Sequence, residues 1–285
     1  MPSEITGSYS LFSANLRYSK GLNSLKASNL LHSKILMVHS AVIENAREGE
    51  KVMKFETAVK EIVPRTVNVK SFRFPKPEAL NYKPGQFLLM TLKSGGQELT
   101  KPFSISSSPT EKDYFEFTKK LTDSEFSTAL NTLKVGDWAR IDAPYGNFTF
   151  TDEHERVCLL AGGIGITPFR SICKYATDTG LNAKITLLYG CRTENDIIFK
   201  NELEQMAQLN ENLRVIFILN EADSEWKGAT GVVTAEMVKK EIPDYKETVF
   251  YVCGPPPMVE AMGKMIKELG LPAAQLKLEA FTGHA

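Results

Sequence analysis

Val249-Phe250-Tyr251-Val252-Cys253-Gly254-Pro255-Pro256-Pro257-Met258 is an apolar run that stops in a thiol, a glycine and three prolines. Proline fixes φ and removes a backbone donor, so the exit from such a strand has little freedom. In an open parallel sheet, ligands bind at the carboxyl ends of the strands. The stretch predicts a stiff strand exit that can hold Cys253 against a flat ligand. Taken alone, it reads equally well as a proline-rich loop beside a buried cysteine.

A second turn upstream favours the first reading. Gly162-Gly163-Ile164-Gly165-Ile166-Thr167-Pro168 follows the strand-like run Arg156-Val157-Cys158-Leu159-Leu160-Ala161 and precedes the helix-like stretch Phe169–Tyr175. Glycines let a backbone approach a pyrophosphate closely, and a helix N-terminus offers it free N–H groups and a favourable dipole. Pro168 suits a first helical turn. Strand, glycine turn and helix in that order make a nucleotide-type site the sharper reading.

The surrounding pattern gives the architecture. From Glu153 onward, strand-like runs at 157–161, 184–189, 213–219, 249–253 and 275–279 alternate with helical runs near 168–176, 199–208, 234–241 and 258–269. That alternation predicts an α/β doubly wound parallel sheet over residues 153–285. From 53 to 152 the pattern changes to six short strands, at 55–59, 66–74, 86–92, 101–105, 114–119 and 138–141. Pro75-Lys76-Pro77, Lys83-Pro84-Gly85 and Ser94-Gly95-Gly96 separate them, and one helical stretch lies near Glu125–Leu133. These predict a small antiparallel β-barrel. The boundary is placed near the polar stretch Thr151–Glu155.

Residues 1–52 read differently. They are serine-rich and carry Arg17, Lys20, Lys26 and Lys34 with no acid between Glu4 and Glu44. Three readings stand: a disordered extension, an organelle-targeting peptide, or a start placed too early, with Met53 as the true first residue. A cytoplasmic location is expected, or an organelle matrix if the stretch is a targeting peptide.

Composition narrows the class. There are 34 Lys and Arg residues and 34 Asp and Glu residues, so no net basic charge points to nucleic acid. No apolar run is long enough to span a bilayer. Cys158, Cys173, Cys191 and Cys253 show no Cys-x-x-Cys pairing, so neither a cluster nor a zinc site is expected, and no metal is assigned. Cys158 and Cys173 read as core residues.

Several motifs taken together resemble the ferredoxin–NADP reductase superfamily. Gly162-Gly163-x-Gly165-x-Thr167-Pro168, Tyr189-Gly190-Cys191-Arg192 and Cys253-Gly254-Pro255-Pro256-Pro257-Met258 resemble its nicotinamide half. Tyr82-Lys83-Pro84-Gly85-Gln86-Phe87, Lys101-Pro102-Phe103-Ser104-Ile105-Ser106-Ser107 and Ala143-Pro144-Tyr145-Gly146-Asn147-Phe148 resemble its flavin half. The resemblance runs from about Lys54 to the C-terminus.

The resemblance implies an FAD-binding barrel, an NAD(P)-binding sheet and hydride transfer between the two cofactors. It implies that Ser104 hydrogen-bonds the flavin near its reactive nitrogen, that Phe103 lies along the ring, and that Lys101 faces the pyrophosphate, with Pro102 and Ser107 in the same motif. Lysine and phenylalanine replace the family's arginine and tyrosine, keeping charge and packing surface but losing a bidentate fork and a hydroxyl. Ser124-Glu125-Phe126-Ser127-Thr128 occupies the place of a second pyrophosphate loop, with Ser127 and Thr128 as hydroxyl donors; Ser124 there reads equally as a plain helix cap. The turn residues Gly162, Gly163, Gly165, Thr167, Pro168, Gly254, Pro255, Pro256 and Met258 are implied to hold the nicotinamide nucleotide. Cys253 aligns the reactive ring carbon, Glu279 is the C-terminal acid, and Phe281 covers the flavin, although four residues follow it here. Arg192 and Thr193 are available to a 2′-phosphate, although Arg192 reads also as a helix-cap or surface arginine. NADH or NADPH is required, and Asn220-Glu221 favours NADH because Glu221 would repel a 2′-phosphate. The expected partner is an external ferredoxin, cytochrome or oxygenase component. Two other readings are a flavin reductase or diaphorase using small acceptors, and a non-catalytic regulatory subunit that keeps the fold.

Overall fold

The computed structural model describes residues 52–281, so the readings of residues 1–51 and the four residues after Phe281 lie outside it. The first half supplies strands β1 (Met53–Ala58), β2 (Glu61–Thr66), β3 (Val69–Pro75), β4 (Phe87–Ser94), β5 (Gln97–Ser104), β6 (Tyr114–Lys120) and β7 (Trp138–Tyr145), with helix α1 (Glu125–Thr132) between the last two. They form antiparallel sheets ordered β1-β7-β4-β5 and β2-β3-β6. A bridge between Ile105 and Phe117 stitches the two sheets into one barrel. Alternation decides what fills it. Phe72 and Phe74 of β3 pair with Phe117 and Phe115 of β6 and stack at 5.3 and 5.4 Å. Cross-strand aromatic pairs of this kind stabilise a sheet by several tenths of a kcal/mol each, up to about 1 kcal/mol.

The barrel has one strand more than expected: β2 (61–66) went unread, and the run 66–74 holds its last residue, a turn and most of β3. The alternating run 66–74 breaks at Val67-Asn68, where the chain turns from β2 into β3. The alternation continues through the turn because Val67 is apolar, yet its side chain is fully exposed at the tip. Pro64 lies in β2 beside a register shift, which an edge strand tolerates because the missing donor faces no partner strand.

The second half holds β8 (Arg156–Gly162), α2 (Ile166–Thr179), β9 (Lys184–Cys191), α3 (Lys200–Leu209), β10 (Leu213–Leu219), β11 (Ala229–Thr230), α4 (Ala235–Glu241), β12 (Val249–Gly254), α5 (Pro256–Glu268) and β13 (Leu276–Ala280). The sheet is parallel throughout, in the order β11-β10-β9-β8-β12-β13. The chain winds from β8 through β9 to β10, then crosses back to β12 on the other side of β8. The exits of β8 and β12 therefore flank the point where strand order reverses, the crevice that open α/β sheets use for ligands. The short β11 carries no sequence signal. The three prolines do more than stiffen a loop: Pro256 and Pro257 open α5, where a missing N–H costs nothing. No described helix is long and apolar enough to cross a membrane.

The two halves meet through an apolar contact of Phe148 with Phe169 and Tyr251 and through a polar lattice. Arg170 of α2 has a side chain only 3 % exposed. Its Nε and Nη2 donate to Glu202 of α3 at 2.9 and 2.7 Å, and Nη1 and Nη2 donate to Glu111 of the barrel at 2.6 and 3.1 Å. Nη1 also donates to the Ser106 carbonyl at 3.1 Å. Arg65 of β2 reaches the other Glu202 oxygen at 2.5 Å and the fully buried Glu116 at 2.9 Å. Both guanidiniums lie over the ring of Phe199, at 4.7 and 5.6 Å. Phe199 has φ +61°, a left-handed conformation at the start of α3 that a side chain adopts only when its surroundings enforce it.

Candidate functional site

The glycine turn and the proline exit are packed against each other. A Cβ on Gly162 would collide with the Met258 sulfur, and one on Gly165 would collide with the Cys253 carbonyl. These two glycines are required by the turn's own packing. Gly163 is different. It has φ +51°, and a Cβ there would meet nothing within 4 Å, so its backbone faces open space. Beneath it the buried Tyr189 hydroxyl donates to the Gly163 carbonyl at 3.0 Å and accepts from the Ile198 amide at 3.3 Å. Thr167 is 2 % exposed and donates to the Ile164 carbonyl, and Pro168 is buried in the first turn of α2. Thr167 and Pro168 therefore shape the turn and leave its open side to Gly163.

A cleft of about 770 Å³ opens over this turn. Gly163, Pro255 and Met258 line one end, and Arg192, Asp196 and Asn220 line the other. Asn68 and Lys120 of the barrel close a side. Gly254 is buried beneath, and Pro256 is exposed on the opening turn of α5. Arg192 does not stand alone: its Nε is 3.4 Å from Asp196 Oδ2. Burial pushes the Asp196 carboxyl up, but donors from the Thr193 hydroxyl and amide and from Arg192 outweigh it and hold it below its ordinary value. The acid that sequence reasoning assigned to this end, Glu221, is exposed and anchored through its backbone N–H to the Arg192 carbonyl. Asp196 went unnoticed because Arg192-Thr193-Glu194-Asn195-Asp196 reads as an ordinary polar loop. Its signal was a Thr-x-x-Asp capping pattern, which the structure closes into a reciprocal cap.

Cys253 and Glu279 are paired neighbours on β12 and β13. The Cys253 thiol is fully buried and donates to Glu279 Oε2 at 3.9 Å. Burial, followed by the nearby Glu279 charge, pushes the thiol far above its usual value, so it is not a thiolate nucleophile. Burial also pushes Glu279 up to about 7, against a small opposing effect of the Cys253 hydrogen bond. A half-buried carboxyl that changes protonation near neutrality is suited to holding or passing a proton. Phe281 donates its backbone N–H to the Gly254 carbonyl at 3.0 Å and packs on the core of the α/β half, beside the same exit.

In the barrel, Ser104 pairs with Phe87, which in turn pairs with Tyr145 and stacks on it at 5.6 Å. This places a hydroxyl and two aromatic rings at neighbouring register positions. Lys101 is exposed and electrostatically coupled to Lys119, and Pro102 is exposed between Lys101 and Phe103. Burial first, then Lys101 and Lys120, lowers Lys119 to about 8. Lys101 and the buried Lys119 therefore lie within electrostatic reach of each other, Lys120 lines the Gly163 cleft, and α1 starts a few residues on. Lys119 and Lys120 were not found from sequence because they end a strand that reads only as alternating apolar and polar residues. Thr128 is exposed on the first turn of α1.

Three expected flavin residues are buried and make contacts within the protein. Phe103 is 8 % exposed and stacks on Phe117 at 4.5 Å and Phe126 at 5.5 Å, inside the barrel core. Ser127 is fully buried, and its hydroxyl accepts from the Thr122 amide at 3.1 Å, holding the loop rather than facing outward. Ser107 is fully buried as well. Its hydroxyl accepts from the Glu116 amide at 2.8 Å and bonds the Tyr82 hydroxyl at 2.9 Å, while its carbonyl accepts from Ser171 of α2 at 2.6 Å. Residues in a shared motif divide here between facing outward and fastening the strand.

The arrangement fits two nucleotide cofactors. A left-handed glycine with open space over it at a helix start suits a pyrophosphate. Lys101 and Lys119 ahead of a second helix start suit another, and the Phe87–Tyr145 pair beside Ser104 suits a flat ring with polar edges. Among the described residues no group of histidine, cysteine or acidic side chains could hold a metal.

Comparison with known proteins agrees with this geometry. Residues 54–150 match the oxidoreductase FAD-binding domain and residues 159–264 the oxidoreductase NAD-binding domain. The chain is 34 % identical over 222 residues to NADH-cytochrome b5 reductase 1 of Aspergillus terreus, covering 73 % of this chain and 75 % of that protein. It is 31 % identical over 228 residues to the glycine betaine monooxygenase reductase subunit of Chromohalobacter salexigens, covering 77 % of this chain but 62 % of that subunit. Among solved structures, the ferredoxin reductase in carbazole 1,9a-dioxygenase is 25 % identical with a TM-score of 0.71, over 82 % of this chain and 70 % of that one. A ferredoxin NADP+ reductase from Neisseria gonorrhoeae with bound FAD and NADP shares the fold, at 20 % identity and a TM-score of 0.70, over 80 % of this chain and 98 % of that one.

Proposed function

The chain belongs to the ferredoxin–NADP reductase family of flavin- and nicotinamide-dependent oxidoreductases, and from that membership we propose that it takes hydride from NADH and feeds a separate one-electron redox protein. FAD, when bound, supplies the conversion between a two-electron donor and one-electron acceptors. The protein's own residues hold, align and shield.

In this reading the open backbone of Gly163 and the start of α2 receive the dinucleotide pyrophosphate. Pro255 and Met258 bound the cleft at its nicotinamide end. Cys253 packs as an uncharged surface, and Glu279 holds a proton beside it. Lys101 and Lys119 with the first turn of α1 neutralise the second pyrophosphate, and Ser104 meets the polar edge of the flavin ring. The observation that carries the reading is the contact between the glycine turn and the β12 exit at the strand-order reversal. It supports a nucleotide-binding role for this backbone, with the Cys253–Glu279 pair on the strand exit beside it.

The preference for NADH rests on Asp196, which engages the cationic group at the adenosine end. A cytochrome or an oxygenase component is the acceptor class, on the strength of relatives named as a cytochrome b5 reductase and a monooxygenase reductase subunit. The test is the visible spectrum of the purified protein before and after anaerobic NADH, and then NADPH. A flavin spectrum that bleaches faster with NADH is the expected result. Colourless protein that stays inactive with added FAD would overturn the reading in favour of a regulatory subunit. Bleaching that only small dyes can reverse, with no cytochrome reduced, would favour a diaphorase.

A further inference from the structure

Arg170 uses all five of its N–H donors. Nε donates to Glu202, Nη1 to Ser106 and Glu111, and Nη2 to Glu111 and Glu202. A planar guanidinium fixed at every donor cannot rotate, and no other side chain offers that fork. What it fastens matters more than how tightly. Arg170 and Ser171 lie on α2 three and four residues beyond Thr167, so they ride on the helix that begins at the glycine turn. Their barrel-side acceptors are the carbonyls of Ser106 and Ser107, two and three residues beyond Ser104. A short, stiff path therefore runs from the Gly163 backbone down one turn of helix, across these bonds, and up the strand end to Ser104.

The rest of the lattice keeps that path from tilting. Glu202 gives one oxygen to Arg170 and the other to Arg65, and Phe199 fills the space under both guanidiniums. Glu116, fully buried, joins Arg65 and Arg73 within the barrel and accepts from the Ser106 hydroxyl. Thr110 donates to Asp178 across the same interface, near the far end of α2 and off this path.

We propose that Arg170 and Ser171 are positioning residues, which set the distance between the nucleotide turn and the Ser104 strand and so the rate of hydride transfer, without touching either cofactor. The inference rests on the reductase reading above. A displacement of about 1 Å between reacting partners can cost roughly a hundredfold in rate, so a small loosening should register strongly.

The experiment uses the flavin-loaded full chain, with Arg170→Lys, Ser171→Ala and, as a contact off the path, Thr110→Val. Rapid mixing with NADH and with 4-deuterated NADH gives the reduction rate at saturation and the nucleotide affinity. Amide hydrogen exchange of peptides covering 104–111 and 166–178 gives a readout independent of turnover. The expected result is a reduction rate about tenfold lower in Arg170→Lys and about threefold lower in Ser171→Ala, with a fully expressed isotope effect. Flavin content is retained, NADH affinity stays within about twofold, exchange rises in both segments together, and Thr110→Val matches wild type. Unchanged rates in both path variants, or a loss confined to NADH affinity or flavin content, would overturn the proposal. If Arg170→Lys does not fold, Ser171→Ala decides on the same criteria. Wild-type protein that NADH fails to bleach removes the reductase reading and this inference with it; bleaching at equal speed in all variants removes this inference alone.

Discussion

A Cβ placed on Gly165 would run into the carbonyl oxygen of Cys253, whereas one placed on Gly163 would meet nothing. The two glycines of one motif thus answer to different constraints. Gly165 lets the turn lie against the β12 exit, and Gly163 offers a left-handed backbone to the cleft. Gly165→Ala is expected to destabilise the fold by about 1–3 kcal/mol through overpacking against backbone. Gly163→Ala should cost only the left-handed penalty of about 1–2 kcal/mol while raising the KM for NADH several-fold. Denaturant unfolding of both variants beside NADH titrations checks the contrast.

Glu279 makes stability and activity depend on pH in a defined direction. Its carboxyl is raised from the ordinary 4.5 to about 7, so the folded chain binds more protons than the unfolded chain between those values. Stability therefore falls as pH rises from about 4.5 to about 7 and levels off above. Glu279→Gln should remove that slope, so the gap in thermal midpoint between variant and wild type shifts in the variant's favour from pH 5 to pH 8. The variant should also lose whatever inflection near pH 7 the wild-type reduction rate displays.

The Glu111–Arg170 pair works the opposite way. Burial would raise Glu111, but the Arg170 hydrogen bonds and charge outweigh it and bring the carboxyl down to about 2. Its contribution is complete above pH 4.5 and is lost as pH falls through about 2, an effect on the order of 3 kcal/mol. Glu111→Gln is expected to destabilise the protein at pH 7 and to flatten acid unfolding between pH 4.5 and 2, followed by circular dichroism.

Asp196→Asn keeps an acceptor for the Thr193 cap but removes the charge that engages Arg192. Relative kcat/KM for NADPH over NADH should rise about tenfold, from steady-state rates with each nucleotide. Glu221→Gln, by comparison, should move that ratio less, because Glu221 is tied through its backbone outside the cleft lining.

How much of this was legible depended on whether the deciding contact was local. The parallel half could be read nearly in full, since Val249–Gly254 and its fellows are buried on both faces and appear as unbroken apolar runs bounded by glycine and proline. The barrel was harder. Val67 is apolar at a solvent-exposed turn, and alternation carried straight through it. Cofactor motifs located the Gly163 turn and the Ser104 strand but could not separate exposed residues from fastening ones: Lys101 and Ser107 share one motif, and only the path of the chain leaves the first exposed and buries the second. Lys119 sits in a stretch with no signature, and the Thr-x-x-Asp cap around Asp196 signals a turn without naming a ligand. Arg170 is the extreme case: a charge flanked by Phe169 and Ile172 in a core helix signals a buried partner without saying which.

Arg170 takes its partners from far along the chain, 59 residues back at Glu111, 64 back at Ser106 and 32 ahead at Glu202. No short segment contains the lattice, and it cannot close until a barrel made of non-local strand pairs and the first βα units of the parallel sheet both exist. Contacts this distant in sequence are expected to form late, after the local pairings of each half, an order that pulsed amide exchange of 104–111 and 166–178 during refolding would check. Until docking, the barrel's Glu111 stands apart from the Arg170–Glu202 pair, whose two members both belong to the parallel-sheet half. A half-made protein would carry two finished lobes with nothing to keep them aligned, so the step that completes folding is the same step that sets the working distance between them.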